Sequence, residues 1–387
     1  MPPRPARSTP ATWGARAMNG VSHRLVQVPP GVQCFVGDEA RRRRQIEADV
    51  IAVFEGWDYE EIIPPLFDYA DVFSSRALLP KTYSFVGRDG SLLALRPDFT
   101  SLLAKIAAGR LAGRPAPIRL YYSGEVLRYE PPRAGRQSEL FQMGLEHLGG
   151  EARAADAEVL AIAAECLDGL GVRGFVLALG HVGVFGGLLA GVDLDAATLE
   201  RLRERVEAKD PAGVRDALPS GRLPERIAEA LVRLATLSGD AGVLADAEQD
   251  LSFCPPARAA LAELTQVIET LQSAGLGPGL TVDLSEVRGL DYYTGLVFRA
   301  YAPGLGFEVG GGGRYDTLLA RFGRPMPAVG FMLGLDRLAL LLERQGARPS
   351  APPSPAEVVG GGGLGRALER ARGKRAAGTR VRFEGRP

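Results

Sequence analysis

Four short segments of this sequence carry polar groups where a packed core would be served by apolar ones: Arg96-Pro-Asp-Phe-Thr100, the stretch from Arg128 to Glu146, Arg288-Gly-Leu-Asp-Tyr-Tyr-Thr-Gly295, and Gly334-Leu-Asp-Arg337. Their carboxylates, amides and phenols can meet an ammonium or a ring N–H. Their arginines suit carboxylate or phosphate oxygens, because guanidinium is planar and permanently charged. Between Glu139 and Leu148 an alternation of two puts Phe141, Met143 and Leu145 on one face of a strand and Gln142, Gly144 and Glu146 on the other. The first face is core; the second sets an amide and a carboxylate around a glycine, leaving room for something to lie against the sheet. Arg337 falls in the first turn of a helix, where the dipole disfavours a cation by roughly 0.3–1 kcal/mol. A nearby anion such as a polyphosphate, or an ion pair with Asp336 or another carboxylate, would offset that penalty.

These groups need a scaffold, and the apolar pattern supplies one. Ile46, Val50, Ile51 and Phe54 recur at helical spacing behind the basic turn Arg41–Arg44, which predicts an amphipathic helix over 38–54. Residues 59–65 read as a strand halted by two prolines. Residues 83–86 and 92–95 read as strands around Gly87-Arg-Asp-Gly90, and 120–129 and 139–148 as a long hairpin across the turn-forming Pro131-Pro-Arg-Ala-Gly135. A helix over 154–170 precedes a strand at 175–180. From Leu194 the chain is rich in Ala, Leu, Glu and Arg without strand signals, so a helical insertion over 194–261, semi-independent of the core, is expected. Sheet resumes at 280–284 and 292–301. After a glycine-dense stretch, 328–332 leads into a helix over 335–344 with Leu338, Leu341 and Leu342 inward.

Bulk properties exclude several classes. Lys plus Arg and Asp plus Glu are balanced at 46 each, so no global field draws the chain to nucleic acid. No apolar run spans a bilayer. Cys34, Cys166 and Cys254 form no C-x-x-C, and His23, His147 and His181 show no metal-ligand spacing, so neither a disulfide framework nor a metal is expected, consistent with a cytoplasmic protein. Residues 1–20, rich in Pro, Ala and Arg, read as a disordered extension.

The ordered motifs resemble a known family. Arg128-Tyr-Glu through Arg136 to Phe141-Gln-Met-Gly-Leu-Glu146 resembles motif 2 of class II aminoacyl-tRNA synthetases; Gly330-Phe-Met-Leu-Gly-Leu-Asp-Arg337 resembles motif 3, and the strand ending at Pro65 resembles motif 1. Arg288-Gly-Leu-Asp-Tyr-Tyr293 and Gly311-Gly-Gly-Arg-Tyr-Asp316 resemble two signatures of histidyl-tRNA synthetases. The resemblance runs from about Leu25 to Glu343. It implies an α+β fold: an antiparallel sheet of six or more strands flanked by helices, dimerising through the motif 1 region. It also implies a histidine pocket of Asp98, Thr100, Gln142, Glu146, Arg288, Tyr292, Tyr293 and Tyr315, and a vestigial ATP site at Arg128 and Arg337, with no cofactor.

Departures from the synthetase pattern redirect the expected function. Only 44 residues follow Glu343, about half of what the family's anticodon-binding domain occupies. Glu130-Pro-Pro132 stands where the family has Glu-Arg-Pro, Phe141 replaces a histidine, and Phe99 stands where a small residue borders the pocket. Pro97-Asp-Phe-Thr100 and Leu179-Gly-His-Val-Gly-Val-Phe185 are similar to a regulatory branch of synthetase paralogues, which assemble with a short-form catalytic ATP phosphoribosyltransferase. Membership would make this chain non-catalytic, required for its partner's activity, and responsive to histidine as effector of the first step of histidine biosynthesis. The alternative is a histidine–tRNA ligase or histidine-activating enzyme without the anticodon domain. The core is then expected over 21–193 and 262–345, a linker over 346–355, and a short C-terminal βαβ remnant over 356–387. Gly360, Gly362 and Gly365 in that remnant satisfy G-x-G-x-x-G, but the chain beyond Glu384 is too short to complete a dinucleotide-binding sheet.

Overall fold

The structure is a computed structural model that describes residues 27–74, 78–129, 137–219, 223–287, 292–347, 356–361 and 363–384. The N-terminal extension, most of the expected linker, the turn at 131–135, Arg288 and Gly362 lie outside the described residues. In chain order the elements are α1 (Gly37–Gly56), β1 (Glu60–Glu61), β2 (Phe67–Tyr69), β3 (Ser84–Val86), β4 (Leu92–Leu95), α2 (Thr100–Ala108), β5 (Ile118–Leu127), β6 (Glu139–Leu148), α3 (Ala152–Gly169), β7 (Val176–His181) and α4 (Val182–Leu188). There follow α5 (Ala196–Glu207), α6 (Pro211–Ala217), α7 (Glu225–Leu234), β8 (Ser238–Gly239), α8 (Val243–Asp250), α9 (Pro255–Ser273), β9 (Leu280–Asp283), β10 (Leu296–Tyr301), β11 (Gly310–Arg314), β12 (Ala328–Gly334) and α10 (Leu335–Arg344). A strand β13 (Glu357–Gly360), helix α11 (Leu364–Ala376) and strand β14 (Val381–Glu384) form a parallel βαβ unit.

Among the described residues one sheet runs in the order β1-β5-β6-β12-β11-β10-β7-β9-β8. Its centre, from β5 to β7, is the expected antiparallel block of six strands. Outside it, β1 joins β5 and β9 joins β7 in parallel, so the whole sheet is mixed. The glycines of β11 are demanded by crowding: a Cβ on Gly312 would stand 2.0 Å from the Gly330 carbonyl oxygen of β12.

Alternation along the hairpin divides the core in two. Met143 and Leu145 of β6 face a large cluster with Ile46, Val50 and Phe54 of α1, Val159 and Ala163 of α3, and Leu338 and Leu341 of α10. Tyr122 of β5 and Leu148 of β6 face the other side, where Phe99, Leu103 and Ala107 of the α2 segment pack with Tyr315. Each fully buried aliphatic or phenylalanine side chain contributes about 1.5–3 kcal/mol. The site is built on this second face.

The insertion packs on the sheet. Leu202, Val206, Val214 and Leu231 of its helices belong to the same apolar cluster as Leu179 and Phe298 of the sheet, and β8 adds a two-residue edge strand on β9. The expected boundary at residue 261 falls inside α9, which packs on α3 and α4. One continuous apolar cluster therefore runs from the insertion to the sheet. No described helix is long and apolar enough to cross a membrane.

Candidate functional site

The helix α2 begins at Thr100, two residues beyond Asp98, and the segment leading to it is pinned from behind. Arg96 is buried; its Nε donates to the Glu125 carbonyl at 2.6 Å and its Nη1 to the Pro64 carbonyl at 3.0 Å. Its guanidinium also lies 4.3 Å over the Phe99 ring. Phe99 in turn stacks on Tyr122 at 4.1 Å. Tyr122 pairs across the hairpin with Gly144, whose absent side chain makes room for it: a Cβ there would meet the Tyr122 hydroxyl at 2.4 Å. The space beside Gly144 read from the sequence is thus filled by a tyrosine that forms part of the pocket wall.

That wall encloses a cavity of about 480 Å³, and Asp98, Thr100, Gln142, Tyr292, Tyr293 and Arg128 all line it. Such a volume lies within the range of about 300–1,000 Å³ usual for small-molecule sites. Glu146 and Tyr315 are not among the lining residues. They lie beneath it, where the Tyr315 hydroxyl donates to Glu146 Oε2 and the Thr100 hydroxyl to Glu146 Oε1 at 2.7 Å. Tyr315 also packs 5.4 Å from the Tyr292 ring. Of the expected histidine contacts, the structure therefore brings five to the cavity surface and two directly below it, while Arg288 lies outside the described residues.

Burial dominates the electrostatics. It pushes the Glu146 carboxyl up to about 8, against the downward pull of the Tyr315 and Thr100 hydrogen bonds, so this group is protonated at neutral pH. Burial likewise raises Asp98, with the Arg128 guanidinium opposing it. Asp98 Oδ2 accepts from the Ser101 hydroxyl at 3.0 Å, whereas Oδ1 is sealed from solvent without a hydrogen-bond partner among the described residues. An unmatched carboxylate oxygen costs about 1–3 kcal/mol or more, and an entering ammonium would remove that cost. Burial also raises the Tyr122, Tyr292 and Tyr315 phenols, which stay neutral donors.

The two arginines set apart for ATP have separate fates. Arg128 lines the cavity and donates from Nε to the Pro97 carbonyl at 2.8 Å. Arg337 instead donates from Nη1 to both the carboxylate and the carbonyl of Glu308, each at 2.8 Å, and it is Glu308 that lines the cavity. Arg337 therefore has a carboxylate partner, Glu308 and not Asp336, which pairs with Arg43 of α1 at 2.7 Å. Arg314, within the second histidyl signature, is structural: its Nη2 holds Asp156 of α3 at 2.6 Å and its Nη1 holds Asp316 at 3.0 Å, which fixes Tyr315 between them.

Sequence reasoning missed Tyr122, Glu286, Arg299 and Glu308 in the wall, and Glu200 and Arg203, which α5 adds to it. Only Tyr122 left a signal: pairing the hairpin strands sets it opposite Gly144.

Comparison with known proteins agrees with this architecture. The family model described as histidyl-tRNA synthetase matches residues 31–338. The ATP phosphoribosyltransferase regulatory subunit of Moorella thermoacetica is 39% identical, over 93% of this chain and 92% of its own length. That of Geobacter sulfurreducens is 40% identical, over 82% of this chain and 73% of its own. Among solved structures, an ATP phosphoribosyltransferase regulatory subunit/histidyl-tRNA synthetase from Bacillus halodurans is 30% identical with a TM-score of 0.81, covering 93% of each chain. The histidyl-tRNA synthetase of Nostoc, at 22% identity and a TM-score of 0.75, shares the fold. A likeness that spans nearly the whole chain, on a synthetase-like sheet and cavity, fixes the kinship: this chain belongs to the family of ATP phosphoribosyltransferase regulatory subunits.

Proposed function

We propose that the chain acts as the regulatory subunit of ATP phosphoribosyltransferase in the cytoplasm: it assembles with the short-form catalytic subunit, is required for its activity, and reports histidine to it. The observation that carries this reading is similarity to regulatory subunits over nearly the full chain. The cavity supplies the sensor. Asp98 Oδ1 would take the α-ammonium of histidine, Gln142 and the Tyr292 and Tyr293 phenols its polar ring atoms, and Glu146 and Tyr315 would hold the floor beneath them. No chemistry on the ligand is needed, since regulation requires only that histidine prefer one state of the complex, with a coupling of about 1–3 kcal/mol. Mixing the purified chain with a short-form catalytic subunit should switch on phosphoribosyl transfer that neither protein performs alone; a catalytic subunit equally active without it would contradict the reading.

We also propose a homodimer through the motif 1 region. Phe67 and Tyr69 of β2, Phe85 of β3 and the nearby Ile63 are 49, 55, 40 and 84% exposed, and the Phe67 and Phe85 rings meet at 5.8 Å, so apolar side chains are exposed beside the strand that resembles motif 1. Phe67→Glu should therefore give a monomer at micromolar concentration in sedimentation, and a variant that stays dimeric would move the interface elsewhere.

A further inference from the structure

Besides the residues assigned to the amino acid, the cavity is lined by Glu286, Arg299 and Glu308 and by Glu200 and Arg203 of α5, here called its outer part. Ion pairs fill this wall. Arg299 sets Nε 2.6 Å and Nη2 3.1 Å from the two oxygens of Glu286, and its Nη1 3.7 Å from Glu308. Glu308 also receives Arg337, and Arg203 is bonded to Glu200 on its own helix. Burial alone would raise the Glu308 carboxyl, but the hydrogen bond and charge of Arg337 overcome it and hold the group below its ordinary value, hence ionised.

Activating an amino acid joins its carboxylate to the α-phosphorus of ATP with loss of pyrophosphate, so the nucleotide must share one cavity with the amino acid. Here the space left for it is the outer part. Arg128 aside, a polyphosphate entering there meets three carboxylates whose guanidinium partners are already engaged, and it would have to displace a carboxylate from a half-buried pair to gain a further cation. We propose that Glu286 and Glu308 are specificity-determining residues that hold Arg299 and Arg337 in ion pairs and thereby close the outer cavity to polyphosphates, leaving a site for a free amino acid. The inference rests on the histidine reading of the inner cavity, and concerns what that site refuses.

Calorimetric titration of the full chain with MgATP, and separately with histidine, tests it. The wild type is expected to bind histidine and to give no heat with millimolar MgATP, with or without histidine present. Glu308→Gln leaves the Glu286–Arg299 pair and the bond from Arg337 to the carbonyl of residue 308 intact but removes the charge that pairs Arg337; it should bind histidine as the wild type does and gain at least about tenfold in affinity for MgATP. Wild-type binding of MgATP at submillimolar concentration overturns the proposal without reference to any variant. A Glu308→Gln protein that binds histidine normally and gains no nucleotide affinity overturns it as well. A wild type that ignores histidine, beside a variant that gains MgATP, would sink the sensor reading and support the exclusion.

Discussion

Asp98→Asn should bind histidine roughly tenfold to a hundredfold more weakly than the wild type, the loss expected when a charge-assisted hydrogen bond of about 1.5–3 kcal/mol is removed. The same substitution should not lower the thermal unfolding midpoint. Among the described residues Asp98 Oδ1 has no hydrogen-bond partner, and burial raises the carboxyl, so a neutral amide removes the cost of burying its charge. Weaker binding together with unchanged or higher stability distinguishes a ligand contact from a structural one. Calorimetry and a melting curve measure the pair, and a variant that binds histidine normally would remove Asp98 from the site.

Glu146→Gln should flatten the pH dependence of stability. The folded protein keeps the Glu146 proton up to about pH 8, whereas an ordinary carboxyl near 4.5, as in the unfolded chain, has already released it. Unfolding therefore releases a proton between those values. The contribution of this group is complete below about 4.5, falls by up to about 1.4 kcal/mol per pH unit as pH rises, and is lost above about 8. Glutamine cannot titrate but can keep an acceptor for the Tyr315 hydroxyl. Between pH 5.5 and 8.5 the melting point of the variant should rise relative to the wild type by about 5 °C or more, each 1 kcal/mol being worth a few degrees in a chain of this size. Histidine binding should weaken as well, by roughly tenfold, since Thr100 and Tyr315 are anchored on this carboxylate. Parallel melting curves across that range would contradict the protonated, buried state.

What the sequence revealed of this arrangement followed from periodicity and ordered motifs. Alternation in β6 assigned Met143 and Leu145 to one side and Gln142 to the ligand side, and helical spacing gave α10 at its observed bounds, Leu335–Arg344. The strands β5, β6, β10, β11 and β12 then stand side by side in the antiparallel block, and Arg96 ties the 96–100 segment to it through the Glu125 carbonyl. Depth was less legible. Period two assigns a face but not a distance from the surface, so Glu146, named with Gln142 among the expected pocket residues, lies below the cavity wall. The Glu286–Arg299–Glu308 set left no trace, because its members sit on three separate segments and each is an ordinary charged residue by itself. The edge strand β8, only Ser238 and Gly239, is too short for any pattern, and composition reports the helices of the insertion without reporting what they pack against.

The most direct test of histidine sensing is the initial rate of phosphoribosyl transfer by the reconstituted complex as histidine is titrated. Linkage requires an effector bound in the regulatory chain to act over the concentration range in which it binds. The rate should fall as histidine rises, with a midpoint that coincides with the calorimetric Kd of the complex in the same buffer; a rate that does not respond while the chain is saturated with histidine would contradict the account.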